Sequence, residues 1–446
     1  VNKLARTLGL SALAFLGGAA ATLVDAVPAA HATSQDESPY GAMAQLGRVL
    51  VTVENEYVEP VDRAKMVNGA IQGMVSGLDP HSSYMPPDDF ALFQSDTEGE
   101  FGGVGIEVDA RNDVITVLSP IEGSPAERAG ILSGDKLVAV DGETASAIGL
   151  EKMVRKMRGR AGSRVKLTLK RDGVKEPLTF DITREIIKVP SVASRMLKGD
   201  VAYIRIKQFQ DKTHDELIRA VARLRAESKG KIAGVVLDMR NNPGGLVYEA
   251  ADVADEFLSA GTIYTARHRD QVVEQVSAHG GGALVDLPTA VLVNAFTASA
   301  AELVTGALQD AKKAKVVGSQ TFGKGSVQTI FELPGGAGMR LTTERYYTPA
   351  GHAVQAEGIR PDVMVSAEDT TIPLVRERDL EGHLEGEGSG AEPAKGAIVI
   401  DAGPPTLDEE EEEARAGQGS VARVPVDPEK GTDQVLKVGY AIVTKH

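Results

Sequence analysis

The stretch IAGVVLDMRNNPGGLVYEAADVADEFL, residues 232–258, decides the architecture of the second half of this chain. Ile232–Asp238 is a continuous apolar run of strand length, as expected for a strand buried on both faces. Asn241-Asn242-Pro243-Gly244-Gly245 breaks the run with turn residues, and Leu246–Leu258 resumes at helical spacing. The alternation extends both ways. Val201–Phe209 reads as a strand, and Thr213-His214-Asp215-Glu216 as a capping box opening a helix to about Glu227. Thr289–Val293 is another buried strand and Ala298–Lys312 another helix. Strands alternating with helices predict an α/β core with a largely parallel sheet and ligands near the strands' carboxyl ends.

Upstream, residues 99–187 change character. Short strands at Gly105–Val108, Val114–Val117, Lys136–Val140, Val165–Lys170 and Leu178–Ile182 alternate with Gly, Pro and Asp turns, and one helix at about Ala147–Met157 interrupts them. Residues 40–77 repeat apolar positions at helical spacing, with Asp62 as the N-cap of a second helix. At the N-terminus, Lys3 and Arg6 precede an apolar stretch from Leu8 to Val24 and the small-residue site Ala30-His31-Ala32. That is the pattern of a secretory signal peptide cleaved after Ala32, the alternative being an uncleaved membrane anchor. Either way the working domains are expected outside the cytoplasmic membrane.

Composition narrows the chemistry. Cysteine is absent, which excludes a thiol nucleophile, a disulfide and any thiolate metal site. Tryptophan is also absent, aromatics are 4%, and no basic patch stands out, so nucleic acid is not an expected partner. His81 lies in the Leu78–Tyr84 break without another His, Asp or Glu at metal spacing, and neither metal nor cofactor is expected. The net charge of −15 is concentrated: residues 366–420 hold 15 acidic and 4 basic side chains, including the run Asp408 to Glu413. That composition predicts a solvated, flexible tail, with a regulatory or partner-binding arm as the alternative.

One constellation carries chemistry. Thr289–Val293 leads through small residues into a helix that begins at Ser299. Ser299-x-x-Glu302 is itself a capping box, and Thr297 is an equally good cap. A helix start also offers free N–H groups, such as that of Ala300, to an oxyanion. Downstream, Thr321-Phe322-Gly323-Lys324-Gly325-Ser326-Val327-Gln328 sets one lysine between glycines. If this stretch is extended, Lys324 and Gln328 share a face, and a desolvated lysine can take a proton from a serine hydroxyl. The alternatives are a phosphate loop, whose G-x-x-x-x-G-K-[ST] pattern is not matched, or an exposed turn.

VVLDMRNNPGG, VNAFTASAAE, GALQD, TFGKGSVQ and GIRPD, in this order, closely resemble the carboxyl-terminal processing proteases, the tail-specific serine peptidases, and the resemblance covers about residues 40–365. The resemblance implies a ClpP/crotonase-like core with Ser299 as nucleophile, Lys324 as general base and Gln328 as its orienter. It further implies an oxyanion hole from the backbone N–H groups of Gly244, Gly245 and Ala300, and a supporting role for Asp310. Residues 99–187 resemble a PDZ domain, with Gly102, Gly103, Val104, Gly105 and Ile106 as its carboxylate-binding loop. The implied partners are protein substrates with apolar C-termini, adaptor lipoproteins as in some members, and further copies of the chain in a dimer or larger assembly.

The expected organisation is a signal peptide at 1–32, a helical domain at 33–98, the PDZ domain at 99–187 and a serine protease core at 188–365. An acidic tail at 366–430 and a docking segment at 431–446 follow. The competing reading is a non-catalytic PDZ scaffold on a protease-like core, which should have lost one of Ser299, Lys324 and Gln328.

Overall fold

Val201–Ile206, Gly234–Asp238, Thr289–Val293, Ala314–Gly318, Val363–Ser366 and Ile398–Asp401 form successive parallel pairs, with Val192–Leu197 antiparallel at one edge. In this computed structural model residues 39–111, 114–366, 374–387, 398–401 and 424–445 are described. The expected signal peptide at 1–32 and the Asp408–Glu413 run lie outside them.

Strand alternation explains why the central run is apolar throughout. Ala202, Ile204 and Ile206 face one core, and Val201 and Tyr203 face another. The first core is closed by the helices Thr213–Glu227, Val247–Asp255 and Ala300–Asp310. The second is closed by the helix Gln434–Thr444, whose Val435, Leu436, Tyr440 and Val443 are buried against the sheet. Gly439 permits that approach, since a Cβ there would lie 2.5 Å from Leu292 Cδ2.

A second, antiparallel sheet was not foreseen. It joins Ser83–Met85, Thr262–His268, Gln271–Ser277, Ser326–Glu332 and Gly338–Tyr347. Among the described residues, those up to Gly73 and those from Met74 onward form separate units, and Ser83–Met85 pairs with Gly338–Arg340 inside the second. Residues 74–98, which the sequence groups with the helices before them, lie in this second unit. Within the first unit, Asp62 Oδ1 accepts from Lys65 N–H at 3.1 Å at the start of the helix Arg63–Ser76.

The capping box at Thr213 does not form. Lys212, at φ 69°, precedes that helix, and the Glu249 carboxylate accepts from the N–H groups of Lys212 and His214 at 2.9 and 2.7 Å. Glu216 instead accepts from the Ser191 and Val192 backbone. The tail expectation also needs correction. Within 366–430, Glu377 is fully buried and residues 374–387 pack on the core.

Residues 99–188 build the β module. Its six-stranded sheet has Ile106–Arg111 at one edge, next to Val114–Pro120, and Met153 and Met157 of the helix Ala145–Met157 fill its core.

Gly439→Val should lever the C-terminal helix off the sheet. Overpacking of this kind costs about 1–3 kcal/mol, so a lower Tm together with lost amide protection at 434–444 is the expected result.

Candidate active site

The helix Ala300–Asp310 starts beyond the carboxyl end of Thr289–Val293, and Ser299 sits at its mouth with φ 55° and ψ −122°. A β-carbon residue in that region is strained, by about 1–3 kcal/mol. Its backbone is held on both sides. Ser299 N–H donates to Glu302 Oε2 at 2.8 Å, and its carbonyl accepts from Glu302 and Leu303 N–H at 2.8 and 3.0 Å. Ser299 and Glu302 thus form the expected capping box, in which the carboxylate takes the Ser299 N–H.

Glu302 is the residue whose role the sequence reading underestimated. It is fully buried, and its carboxylate accepts from Thr321 Oγ1, Gly323 N–H at 2.7 Å and Lys324 N–H at 2.9 Å, besides Ser299 N–H. One carboxylate thus ties the serine to the lysine loop. Burial pushes it up to about 7 against the pull of these donors. Tyr346 adds a second tie, its buried hydroxyl lying 2.7 Å from the Ser299 carbonyl and 2.6 Å from that of Lys324.

Lys324 is largely shielded from solvent. Burial, reinforced by the Arg340 guanidinium, pulls its ammonium down to about 8, while Glu377, Asp79 and Glu302 oppose the shift. Among the described residues no hydrogen bond joins Ser299 Oγ to Lys324; the two residues are tied through their backbone N–H groups on Glu302.

The turn Asn241–Gly245 meets the serine directly. A Cβ on Gly244, at φ 100°, would lie 2.7 Å from Ser299 Cβ and 2.9 Å from Ala300 N. Only glycine fits there. Gly244 N–H is already committed to Asn242 Oδ1 at 2.9 Å. Among the described residues the N–H groups of Gly245 and Ala300 have no acceptor, which leaves these two, not all three, for an oxyanion.

Gln328 and Asp310 stand apart. Gln328 Nε2 donates to Ser326 Oγ at 2.9 Å and Thr342 Oγ1 at 3.4 Å, not to the lysine. Asp310 lies at the far end of an eleven-residue helix from Ser299, where Oδ2 accepts from Ala350 N–H at 2.9 Å. In the β module, the carbonyls of Gly102, Val104 and Gly105 accept from Gly159, Ala126 and Ile121 N–H. Gly103 pairs with Glu185, and Ile106 opens the edge strand. The Val104 and Gly105 N–H groups have no acceptor among the described residues, as in a backbone nest for an anion. Among the described residues no His, Asp and Glu cluster could hold a metal.

Sequence profiles match three segments: peptidase family S41 at residues 200–365, a PDZ domain at 116–171, and the activating protease CtpB N-terminal domain at 14–89. A carboxy-terminal-processing protease of Bartonella bacilliformis is 39% identical over 421 residues, covering 92% of this chain and 90% of that protein. A carboxyl-terminal-processing protease of a Picosynechococcus species is 39% identical over 309 residues, covering 68% and 74%. The solved photosystem II D1 C-terminal processing protease is 30% identical, covers 72% of this chain and 86% of its own, and superposes with a TM-score of 0.46.

Charging Lys324 costs the folded state, since its folded pKa of about 8 lies below its ordinary value. The cost is present below pH 8 and fades as the pH rises toward the unfolded value. Lys324→Met, which keeps the stem, should therefore raise Tm at pH 7, with a gain that shrinks by pH 9.

Proposed function

The chain belongs to the carboxy-terminal-processing proteases of peptidase family S41, a serine peptidase with a PDZ module, and from that premise we propose that Ser299 and Lys324 perform the hydrolysis. The observation that carries this reading is the Glu302 clamp, which holds the backbones of Ser299 and of a desolvated lysine on one buried carboxylate.

Neutral Lys324 accepts the Ser299 hydroxyl proton as Oγ attacks the scissile carbonyl. Negative charge on the carbonyl oxygen is met by the N–H groups of Gly245 and Ala300 at the helix start. The lysine then donates its proton to the leaving amine, and the acyl-enzyme on Ser299 remains. Water, deprotonated by the same amine, releases the acid and restores the hydroxyl. For the first step Lys324 and Ser299 must close into a hydrogen bond. Gln328 Oε1, free of partners among the described residues, is the acceptor available to orient the ammonium. Retention of Ser299, Lys324 and Gln328 disfavours the scaffold reading.

The PDZ module selects the substrate. Glycine-rich backbone at 102–106 binds the terminal carboxylate, and the open edge of Ile106–Arg111 adds the peptide as a further strand. Apolar C-terminal residues, action outside the cytoplasmic membrane, an adaptor lipoprotein and assembly into oligomers complete the proposal. Among the described residues no helix is long and apolar enough to cross a membrane.

Two measurements test this reading. kcat/KM should rise with pH to a plateau above about 8, where the lysine is neutral. Lys324→Arg should be as inactive as Lys324→Ala, because a guanidinium keeps its proton. Near-normal turnover by Lys324→Arg removes the base assignment. Separately, a peptide with a free apolar C-terminus should bind residues 99–187 more tightly than its amide, since charge-assisted hydrogen bonds are about twice as strong as neutral ones. Equal affinities exclude carboxylate capture.

A further inference from the structure

Residues 374–387 lie across the lysine loop. Arg376 Nη1 donates to the Gln320 and Thr321 carbonyls at 2.7 and 2.9 Å, and Glu377 N–H donates to the Phe322 carbonyl at 3.2 Å. Two adjacent residues of this strap thus hold three consecutive carbonyls just ahead of Lys324. The Glu377 side chain turns into the core, where it is fully buried. His81 Nε2 donates to its two oxygens at 2.9 and 2.8 Å, and Gln355 Nε2 donates to Oε1 at 3.0 Å. Gln355 Oε1 in turn accepts from Gly325 N–H at 3.0 Å, the residue after Lys324. The His81 carbonyl accepts from Arg340 Nε at 2.9 Å.

We propose that Glu377 is a positioning residue for the hydrolysis: its buried carboxylate, braced by His81 and Gln355, fixes the 320–325 loop and sets the electrostatic surroundings of the general base. The inference rests on Lys324 being that base. Burial by itself would protonate Glu377, but the hydrogen bonds from His81 and Gln355 and the charges of His81 and Lys324 hold it below the usual carboxylate range. It is therefore an anion facing the lysine. The other charged groups facing Lys324 are Arg340 from the strand Gly338–Tyr347, Asp79 from the loop that carries His81, and Glu302 from the Ser299 helix. Asp79 accepts from Ser82 Oγ, Thr342 Oγ1 and the N–H groups of His81 and Ser82, so the loop presenting His81 is itself pinned to the antiparallel sheet.

A brace that only held the fold would lower activity without moving its pH dependence. Glu377 should do both. Removing its charge leaves Arg340 less opposed, so Lys324 should lose its proton at lower pH.

The test compares wild type, Glu377→Gln and Glu377→Asp on one peptide substrate. Glu377→Gln should lower kcat at least tenfold with KM within twofold, and should move the acid limb of kcat/KM to lower pH. Glu377→Asp, which keeps the charge, should leave the limb in place and recover part of kcat. A kcat loss in Glu377→Gln with an unmoved limb would show a structural brace only and would overturn the proposal, as would an unchanged kcat.

A readout independent of turnover covers a variant that folds poorly. In the Ser299→Ala protein, the pH dependence of Lys324 acylation by an amine-reactive ester is followed by peptide mass spectrometry. Gln355→Leu, which cuts the link to Gly325 but spares the Glu377 charge, is expected to leave that acylation midpoint unchanged, and Glu377→Gln to lower it; equal midpoints in all three overturn the proposal. Lys324→Ala is the control for the underlying reading. Activity retained there would remove Lys324 as base, whereas activity lost there with Glu377→Gln unaffected would remove only the role of Glu377.

Discussion

A single buried carboxylate organises the catalytic half of this molecule. Glu302 accepts from the Ser299 backbone on its own helix and from Thr321, Gly323 and Lys324 on the loop that follows the next strand. Burying a carboxylate is costly unless its lone pairs are filled, and four donors fill them here. The same bonds hold Ser299 at a positive φ that an L-residue would otherwise leave. Tyr346 repeats the tie from the opposite side through the two carbonyls.

The sheet supplies the rest of the geometry. Gly234–Asp238 and Thr289–Val293 are parallel neighbours, so the turns at their carboxyl ends must meet. The contact between Gly244 and Ser299 is where they do. Behind the turn, Arg240 is bonded to Asp238 and paired at 2.8 Å with Asp433, the residue that caps the C-terminal helix. The last helix is thereby linked to the Asn241–Gly245 turn by a paired charge cluster. On the far side of the lysine loop, the strap at 374–387 closes the same framework with Glu377.

Much of this was legible in the chain because burial on two faces leaves an apolar run that turn residues interrupt. The strand Thr289–Val293 and the helix Thr213–Glu227 were read with their observed bounds. The antiparallel sheet was not read. Gln271–Ser277 is mostly exposed and Ser326–Glu332 half exposed, so neither carries a strong apolar signal. The condition under which Lys324 and Gln328 would share a strand face, an extended stretch from one to the other, is not met. The strand begins at Ser326, and a register shift follows between Val327 and Gln328. Buried acids are the hardest case. Glu302 matches a cap, and Glu377 lies within an acid-rich segment where composition cannot separate one buried carboxylate from its solvated neighbours.

The central claim is that Ser299 becomes acylated through a neutral Lys324. Rapid acid quench of the enzyme with a peptide ester, followed by peptide mapping, tests it most directly. The acyl group should be found on Ser299, and its rate of appearance should rise with pH toward about 8. Substrate turnover with no acyl adduct, or with the adduct on another residue, would contradict the account.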